Sequence, residues 1–285
     1  MLSALLTMKP GCVDPINWMP LLSERSDTSG RSRRLMRFPE RRASRVYVVG
    51  QEEVVRKELE KYTYDKDRIE IVGATEVIET AEPPVNAIRK KKDSSIVVGM
   101  KMVRSGEADA FVSAGSSGAI LVGSQTIVGR IKGVERPPLA PLIPTEKGVS
   151  LLIDCGANVD ARPSHLVQFA KMGSIYMEHV MGVENPKVAI VNIGAEEEKG
   201  NALVKETFPL LKEAKGINFT GSIEAREIPH GQADVIVCEA FAGNIILKLF
   251  EGVGAVLISK VKEGMMSSLR SKIGALLVKP ASRRH

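Results

Sequence analysis

The stretch Asp109-Ala-Phe-Val-Ser-Ala-Gly-Ser-Ser-Gly-Ala-Ile-Leu121 passes from an apolar strand through a Ser/Gly turn into an apolar helix. That order defines a βα unit. A strand over Ala110 to Ser113 delivers the backbone to the C-terminal edge of a sheet, where Gly115 and Gly118 allow tight turning and close ligand approach. The free N–H groups of the next helix, with the hydroxyls of Ser116 and Ser117, would point there at an anion. The turn is neither a GxGxxG nor a Walker loop, so taken alone it fits a phosphate cradle and a plain strand-to-helix connection equally.

Working outward, the same grammar recurs. Upstream, Val46-Tyr-Val-Val-Gly50 is a β-branched strand followed by an acidic helix start at Glu52 and Glu53. Ile69 to Val72 is a second strand. Pro83-Pro84 opens a helix that meets Lys90, Lys91 and Lys92, a solvated helix end or an anion-facing rim. Ser94 to Arg104 is an apolar-faced helix broken by Gly106. Downstream, Ala119 to Val128 is helical. The Gly/Pro-punctuated segment that follows bears Arg130, Lys132 and Arg136, cations suited to bidentate or point-charge contact with phosphate.

Two later turns have the same form. Val149 to Ile153 leads into Asp154-Cys-Gly-Ala-Asn-Val-Asp160, which sets Asp154, Asn158 and Asp160 at the lip of a strand, where open α/β sheets bind ligands. A cap on the helix starting near Pro163 accounts for one of these carboxylates, not for all three polar groups. Lys187 to Ile193 is a strand, with the loop Gly194 to Asn201, including Lys199, after it. A helix over Ala202 to Ala214 and a strand over Ile217 to Thr220 follow. Asp234 to Val237 then runs into Cys238-Glu-Ala-Phe-Ala-Gly-Asn244 and a long helix from Ile245, with Lys248 one turn beyond Asn244. Met265 to Val278 is an amphipathic helix whose polar positions include Arg270 and Lys272, with Lys279 just beyond. It suits packing on a partner or contact with a membrane surface.

Composition narrows the classes. The 285 residues carry a formal charge of +6, but residues 1–45 hold nine Lys or Arg against four Asp or Glu, so the remainder is nearly neutral. With no nucleic-acid-binding motif, this counts against a phosphodiester-backbone binder. Cys12, Cys155 and Cys238 form no CxxC pair, and His165 and His179 lie outside metal-ligand spacing, so neither a disulfide framework nor a metal site is indicated. Cys155 and Cys238 each end an apolar strand, where a small buried residue is the ordinary expectation. No uninterrupted apolar run approaches the roughly 20 residues needed to cross a bilayer, which predicts a soluble or peripheral protein. Residues 1–42 lack periodicity and become Ser/Arg-rich, predicting disorder. No linker composition divides the rest.

Together, Ser113-Ala-Gly-Ser-Ser-Gly-Ala119, Gly129-Arg-Ile-Lys-Gly133, Arg136-Pro-Pro-Leu-Ala-Pro141, Asp154 to Asp160, Gly194 to Asn201 and Phe241-Ala-Gly-Asn244 resemble the PlsX family, the bacterial phosphate acyltransferases of phospholipid synthesis. The six motifs occur in order and at the family's spacing. The resemblance implies a three-layer α-β-α sandwich, Rossmann-like and akin to isopropylmalate dehydrogenases and phosphotransacetylases. The family-like domain would span residues 43–280, with 1–42 a disordered or non-family segment and 281–285 a tail.

The implied activity moves a long fatty acyl group from acyl carrier protein to inorganic phosphate, with no cofactor or metal. The implied partners are a second copy of the chain and a membrane-bound glycerol-3-phosphate acyltransferase. The setting is the cytoplasm beside the membrane, with transient contact through residues 265–279. On this resemblance Ser116, Ser117, Gly118, Arg130, Lys132, Arg136, Asp154 and Lys199 bind phosphate or acyl phosphate. Asn244 and Lys248 polarise the thioester carbonyl, and Asn158 and Asp160 orient these groups.

The chain also departs from the family pattern. It has no initial strand ending in Asp-Ala-Met-Gly-Gly-Asp and no C-terminal Tyr-Gly-Gly loop, and Glu239-Ala240 replaces Asp-Gly. Two alternatives therefore stand beside the enzyme: an inactive paralogue that keeps dimerisation or carrier-protein binding, and a gene fragment. A dehydrogenase is disfavoured, because no acidic residue follows the Gly-rich turn at Rossmann spacing.

Overall fold

A computed structural model describes residues 3–6 and 45–278. Cys12, the Arg-rich segment up to residue 44, Lys279 and residues 281–285 lie outside the described residues. Although no linker composition announces it, the chain forms two compact units. One comprises Met1–Pro137 with His179–Gly182, the other Pro138–Glu178 with Val183–His285. The boundary falls within the Pro137-Pro138 pair.

In the first unit, β2 (Val46–Gly50) is buried along its whole length and pairs in parallel with β3 (Ile69–Gly73). Its alternate residues face two different layers. Val46 and Val48 pack with Val55 and Leu59 of α1 (Glu52–Leu59). Tyr47 and Val49 pack with Met102 of α3 (Ser95–Ser105). A strand covered on both faces reads as a continuous apolar run, as this one does. The α3 helix is capped by the Ser94 hydroxyl and stopped by Gly106 at φ 78°. Its Ile96, Val97 and Met100 join Ala87 and Ile88 of α2 (Pro84–Lys90) and Ala119 of α4 (Ser117–Gly123) in a further cluster. The strand before α4 is β4 (Ala110–Ser113).

Between β2 and β4 lies β1 (Ser3–Leu6), antiparallel to both, with Ser3 in register with Val49 and Ser113. The sheet order is β3-β2-β1-β4. Disorder throughout residues 1–42 therefore does not hold at Ser3–Leu6. Two neighbouring parallel strands need their inward N–H and C=O groups paired, and a short apolar segment supplies a partner ladder on both sides.

The second unit has a five-stranded sheet of order β5-β6-β9-β7-β8. β6 (Gly148–Ile153), β7 (Lys187–Val191), β8 (Asn218–Ile223) and β9 (Val235–Val237) are mutually parallel. β5 (Leu142–Thr145) closes an antiparallel hairpin onto β6. Again there are two covered faces. Gly173 of α5 (Pro163–His179) sits where a Cβ would lie 2.5 Å from Val235 Cγ1 and 3.4 Å from Leu151 Cδ2. On the other face Leu152, Ala189 and Ile236 pack with Ala242, Ile246 and Leu247 of α7 (Ala240–Met266). α6 (Ala202–Glu213) is capped by Asn201, and its Phe208 meets Phe219 of β8 edge-on at 5.1 Å. The α/β class with parallel sheets and helices on both faces is as the sequence predicts.

Two sequence expectations fail in α7. It begins at Ala240 rather than Ile245, and it runs 27 residues, so segment 265–279 is divided between its end and α8 (Leu269–Val278). An 18-residue window of α7 has mean hydropathy 1.7, long and apolar enough to cross a membrane, and 6% of that window is buried. Counting uninterrupted apolar residues misses this, because Lys248 and Glu251 break the run without lowering its average enough.

Candidate functional site

In the second unit the parallel strands β6 and β9 end side by side, and their continuations interlock. Asp154 N donates to Cys238 O at 2.9 Å, and Cys238 N donates to Ile153 O at 2.8 Å. The Asp154 carboxylate is completely buried. Its Oδ1 accepts from Leu139 N (2.9 Å), Gly156 N (3.1 Å) and Ala157 N (3.1 Å). Its Oδ2 accepts from Asn158 N (2.8 Å) and Asn158 Nδ2 (2.7 Å). Five donors saturate the roughly four lone-pair sites of a carboxylate. Asp154, expected to bind phosphate, thus faces inward and is occupied by the protein's own N–H groups. Negative charge on both partners would also oppose such contact. Asn158 is buried beside it, whereas Asp160 is exposed two residues further on.

The start of α7 closes over this turn. Glu239 caps it, Oε2 accepting from Phe241 N at 2.5 Å and Oε1 from Ala242 N at 2.8 Å. Ala240 N donates to Asn158 O at 3.2 Å. A Cβ on Gly243 would strike the Asp154 carbonyl oxygen and approach Cys238 Sγ to 2.8 Å, so only glycine permits this contact. One position on, Asn244 Nδ2 donates to Cys155 O at 3.2 Å. Lys248, on the exposed side of α7, pairs with Glu251 at 3.0 Å.

The two cysteines flank the same turn as neutral thiols. Cys155 Sγ donates to Leu139 O at 3.2 Å, and burial, reinforced by the nearby Asp154 charge, pushes its pKa up to about 12. Cys238 Sγ donates to the Asp154 carbonyl oxygen at 3.2 Å, and burial raises its pKa well above the ordinary thiol value. Neither supplies a thiolate near neutral pH.

The loop after β7 is fastened from beneath. Asn192 Nδ2 donates to Lys199 O and Ser222 Oγ, both at 3.1 Å, and Glu197 pairs with Lys212 of α6 at 2.9 Å. Lys199 itself is exposed and pairs with Glu196 at 2.9 Å, which raises its pKa. A groove of about 380 Å³ between α5 and α6, lined by Ser164, Val167, Lys171, Leu210 and Glu213 among others, contains none of the predicted site residues.

In the first unit, the turn from which the sequence reading began is built more simply. Ser113 Oγ accepts from Gly115 N at 3.1 Å, and the buried Ser116 accepts from Ala119 N at 3.3 Å as the α4 N-cap. Ser117 is exposed. A Cβ on Gly118 would lie 2.7 Å from Pro84 Cγ. After α4 a π-helical turn, Ser124–Val128, ends with Gly129 N donating to Ser124 O at 2.9 Å. Arg130 then folds back, Nη1 donating to the Glu135 carbonyl, while Lys132 and Arg136 are exposed.

The structure thus joins Asp154, Asn158 and Asn244 within one unit and places Ser116, Ser117, Gly118, Arg130, Lys132 and Arg136 in the other. Sequence reasoning missed Leu139, whose N–H reaches across to Asp154, and Glu239 and Gly243 as the cap and close contact of α7. The Phe241-Ala-Gly-Asn244 motif held the last signal, obscured by starting the helix at Ile245.

Parallel strands whose C-terminal edges open into short turns and helix N-termini are general to open α/β sheets, and superposition narrows the fold to the phosphotransacetylase type. A phosphotransacetylase from Streptococcus pyogenes superimposes with a TM-score of 0.53 at 18% identity, covering 73% of each chain. The EutD phosphotransacetylase from Staphylococcus aureus gives 0.50 at 20% identity over the same shares.

The more particular assignment comes from sequence. Residues 39–285 match the family described as fatty acid synthesis protein, and the chain belongs to that family. Phosphate acyltransferase from Clostridium perfringens is 51% identical over 236 residues, 83% of this chain and 70% of that protein. Its namesake from Alkaliphilus oremlandii is 52% identical over 235 residues, 82% and 70% respectively. The resemblance seen in the motifs is thereby established, and the chain is an acyltransferase by family.

Proposed function

We propose that this chain transfers a long-chain fatty acyl group from the thioester of acyl carrier protein to inorganic phosphate, giving an acyl phosphate for phosphatidic acid synthesis. The observation that carries this reading is the fixing of Asn244. One N–H of its carboxamide is held by Cys155 O at the exposed N-terminal end of α7, which leaves the second for a substrate oxygen. Relatives about half identical in sequence are named phosphate acyltransferase.

A phosphate oxygen attacks the thioester carbonyl carbon, and the carbonyl electron pair moves to its oxygen. Asn244 and Lys248 stabilise that developing charge, a contribution commonly of several kcal/mol when donors are preorganised. The intermediate collapses with cleavage of C–S, and the thiolate leaves and takes a proton from solvent. Ser116, Ser117 and Gly118, with Arg130, Lys132, Arg136 and Lys199, hold phosphate, while Asn158 and Asp160 orient the polarising groups. The residues present require neither a covalent enzyme intermediate nor a cofactor for these steps.

The exposed apolar side chains of α7, among them Leu249, Val253, Leu257 and Val261, support the two association partners of this reading. These are a second copy of the chain and, through 265–279, the cytoplasmic face of a membrane beside a glycerol-3-phosphate acyltransferase. The deciding assay is release of free carrier-protein thiol from palmitoyl-acyl carrier protein by the purified chain. Release that requires phosphate is the expected result. A folded chain that binds carrier protein without phosphate-dependent release would instead identify an inactive paralogue.

A further inference from the structure

Asp154 stands out in this site because both oxygens of its buried carboxylate accept from the protein's own N–H groups, five in all. A buried carboxylate that collects five N–H groups fixes the orientation of every peptide that contributes one. The peptide between Cys155 and Gly156 is trans, so its C=O and N–H point in opposite directions. Its N–H is directed inward onto Asp154 Oδ1 at 3.1 Å. Its C=O is therefore turned away from the carboxylate, and that same carbonyl receives Asn244 Nδ2 at 3.2 Å. Leu139 N and Ala157 N hold the same oxygen, while Asn158 pins the other twice. Gly243 lets the first turn of α7 approach the Asp154 carbonyl more closely than any side chain would permit, which sets the Asn244 backbone directly over the loop.

We propose that Asp154 is a positioning residue, acting through the Cys155–Gly156 peptide to orient the Asn244 carboxamide. It does not contact phosphate. This rests on the acyl-transfer reading above for its kinetic consequence, but its structural content stands apart from that reading.

The test compares Asp154→Ala, Asp154→Asn, Asn244→Ala and the double variant Asp154→Ala/Asn244→Ala in the full chain, with phosphate and palmitoyl-acyl carrier protein as substrates. Asp154→Ala lowers kcat about 100-fold with the phosphate KM within about twofold. Asp154→Asn, which retains an acceptor for Gly156 N–H, recovers at least about tenfold of that loss. In the Asn244→Ala background, Asp154→Ala costs less than about threefold more, because the group it positions is gone. A large rise in phosphate KM with kcat retained would make Asp154 a phosphate ligand and overturn the proposal. So would effects of Asp154→Ala and Asn244→Ala that multiply.

If Asp154→Ala does not fold, Asp154→Asn takes its place in the same cycle, with a smaller kcat loss and the same non-additivity. Should the wild-type chain show no phosphate-dependent turnover, the acyl-transfer reading fails. Asp154 is then judged by NMR. The Asn244 side-chain amide resonances shift and the Gly156–Asn158 amides lose exchange protection in the Asp154 variant, and an unmoved Asn244 signal overturns the proposal.

Discussion

The turn after β4 and the turn after β6 are written in the same way, an apolar strand followed by small and polar residues and then a helix, yet they are built differently. After β4, Ser113 and Ser116 each satisfy one backbone N–H, and Ser117 stays exposed. After β6, a fully buried carboxylate gathers five donors from two places in the sequence, and a second helix lies directly on its backbone. The first turn leaves its outer hydroxyl, that of Ser117, exposed. The second spends its polar groups on itself and offers only what stands on its rim, Asn244 above all. Similar sequence grammar therefore encodes a lightly tied turn in one unit and a rigid mount in the other.

Removing the central acceptor of each turn should separate them most. Asp154→Ala strands several buried donors and is expected to cost about 4 kcal/mol. Ser116→Ala, the loss of one helix cap, costs about 1 kcal/mol. Urea unfolding of both variants measures the difference, and equal costs would break the contrast. Glycine replacement comes next. The Cβ of Gly243→Ala would meet a backbone carbonyl that cannot swing aside, for about 3 kcal/mol, whereas that of Gly118→Ala meets a proline ring that can pucker, for about 1 kcal/mol.

In activity, Asn244→Ala is expected to lower kcat by about 100-fold and Lys248→Ala by at least about tenfold, measured by carrier-protein thiol release. Losses below about tenfold in both would remove the mount's assigned purpose. The smallest effect is alkaline. Burial raises the Cys155 pKa from 9.0 to about 12. Below 9 the thiol is protonated whether the chain is folded or not, and its stabilising contribution is complete. Between 9 and about 12 only the unfolded chain ionises, so stability falls as pH rises. Urea midpoints should decline over that window, and Cys155→Ala should flatten the decline.

How much of this was legible in the sequence follows the range of the interactions. The strands β2, β6 and β9 could be placed because a both-sides-buried strand is an apolar run ended by a turn, and the half-buried β4 because its short apolar run ends in a Ser/Gly turn. β5 was missed because Leu142–Thr145 contains Pro144 and earns its place as an antiparallel edge. Asn158 and Asn244 could be singled out from residue type and position at a strand end, and the structure brings both to the Asp154 turn. The inward direction of Asp154 was not. Four of its five donors come from Gly156, Ala157 and Asn158, which curl over it only because the turn folds that way, and the fifth is Leu139, 15 residues earlier. A polar residue at a lip can face either way, and the path of the backbone after it decides.

The antiparallel strand Ser3–Leu6 imposes an order of assembly on the first unit. During synthesis these residues leave the ribosome before either partner strand, and the last of their partners, Ser113, is made more than 100 residues later. At ordinary elongation rates the strand waits roughly 5 to 20 s for its second neighbour. Until then, Val46–Gly50 can offer it only a one-sided ladder. The sheet of this unit is therefore closed only once Ala110–Ser113 has been made, although the strand at its middle is the earliest made of the four.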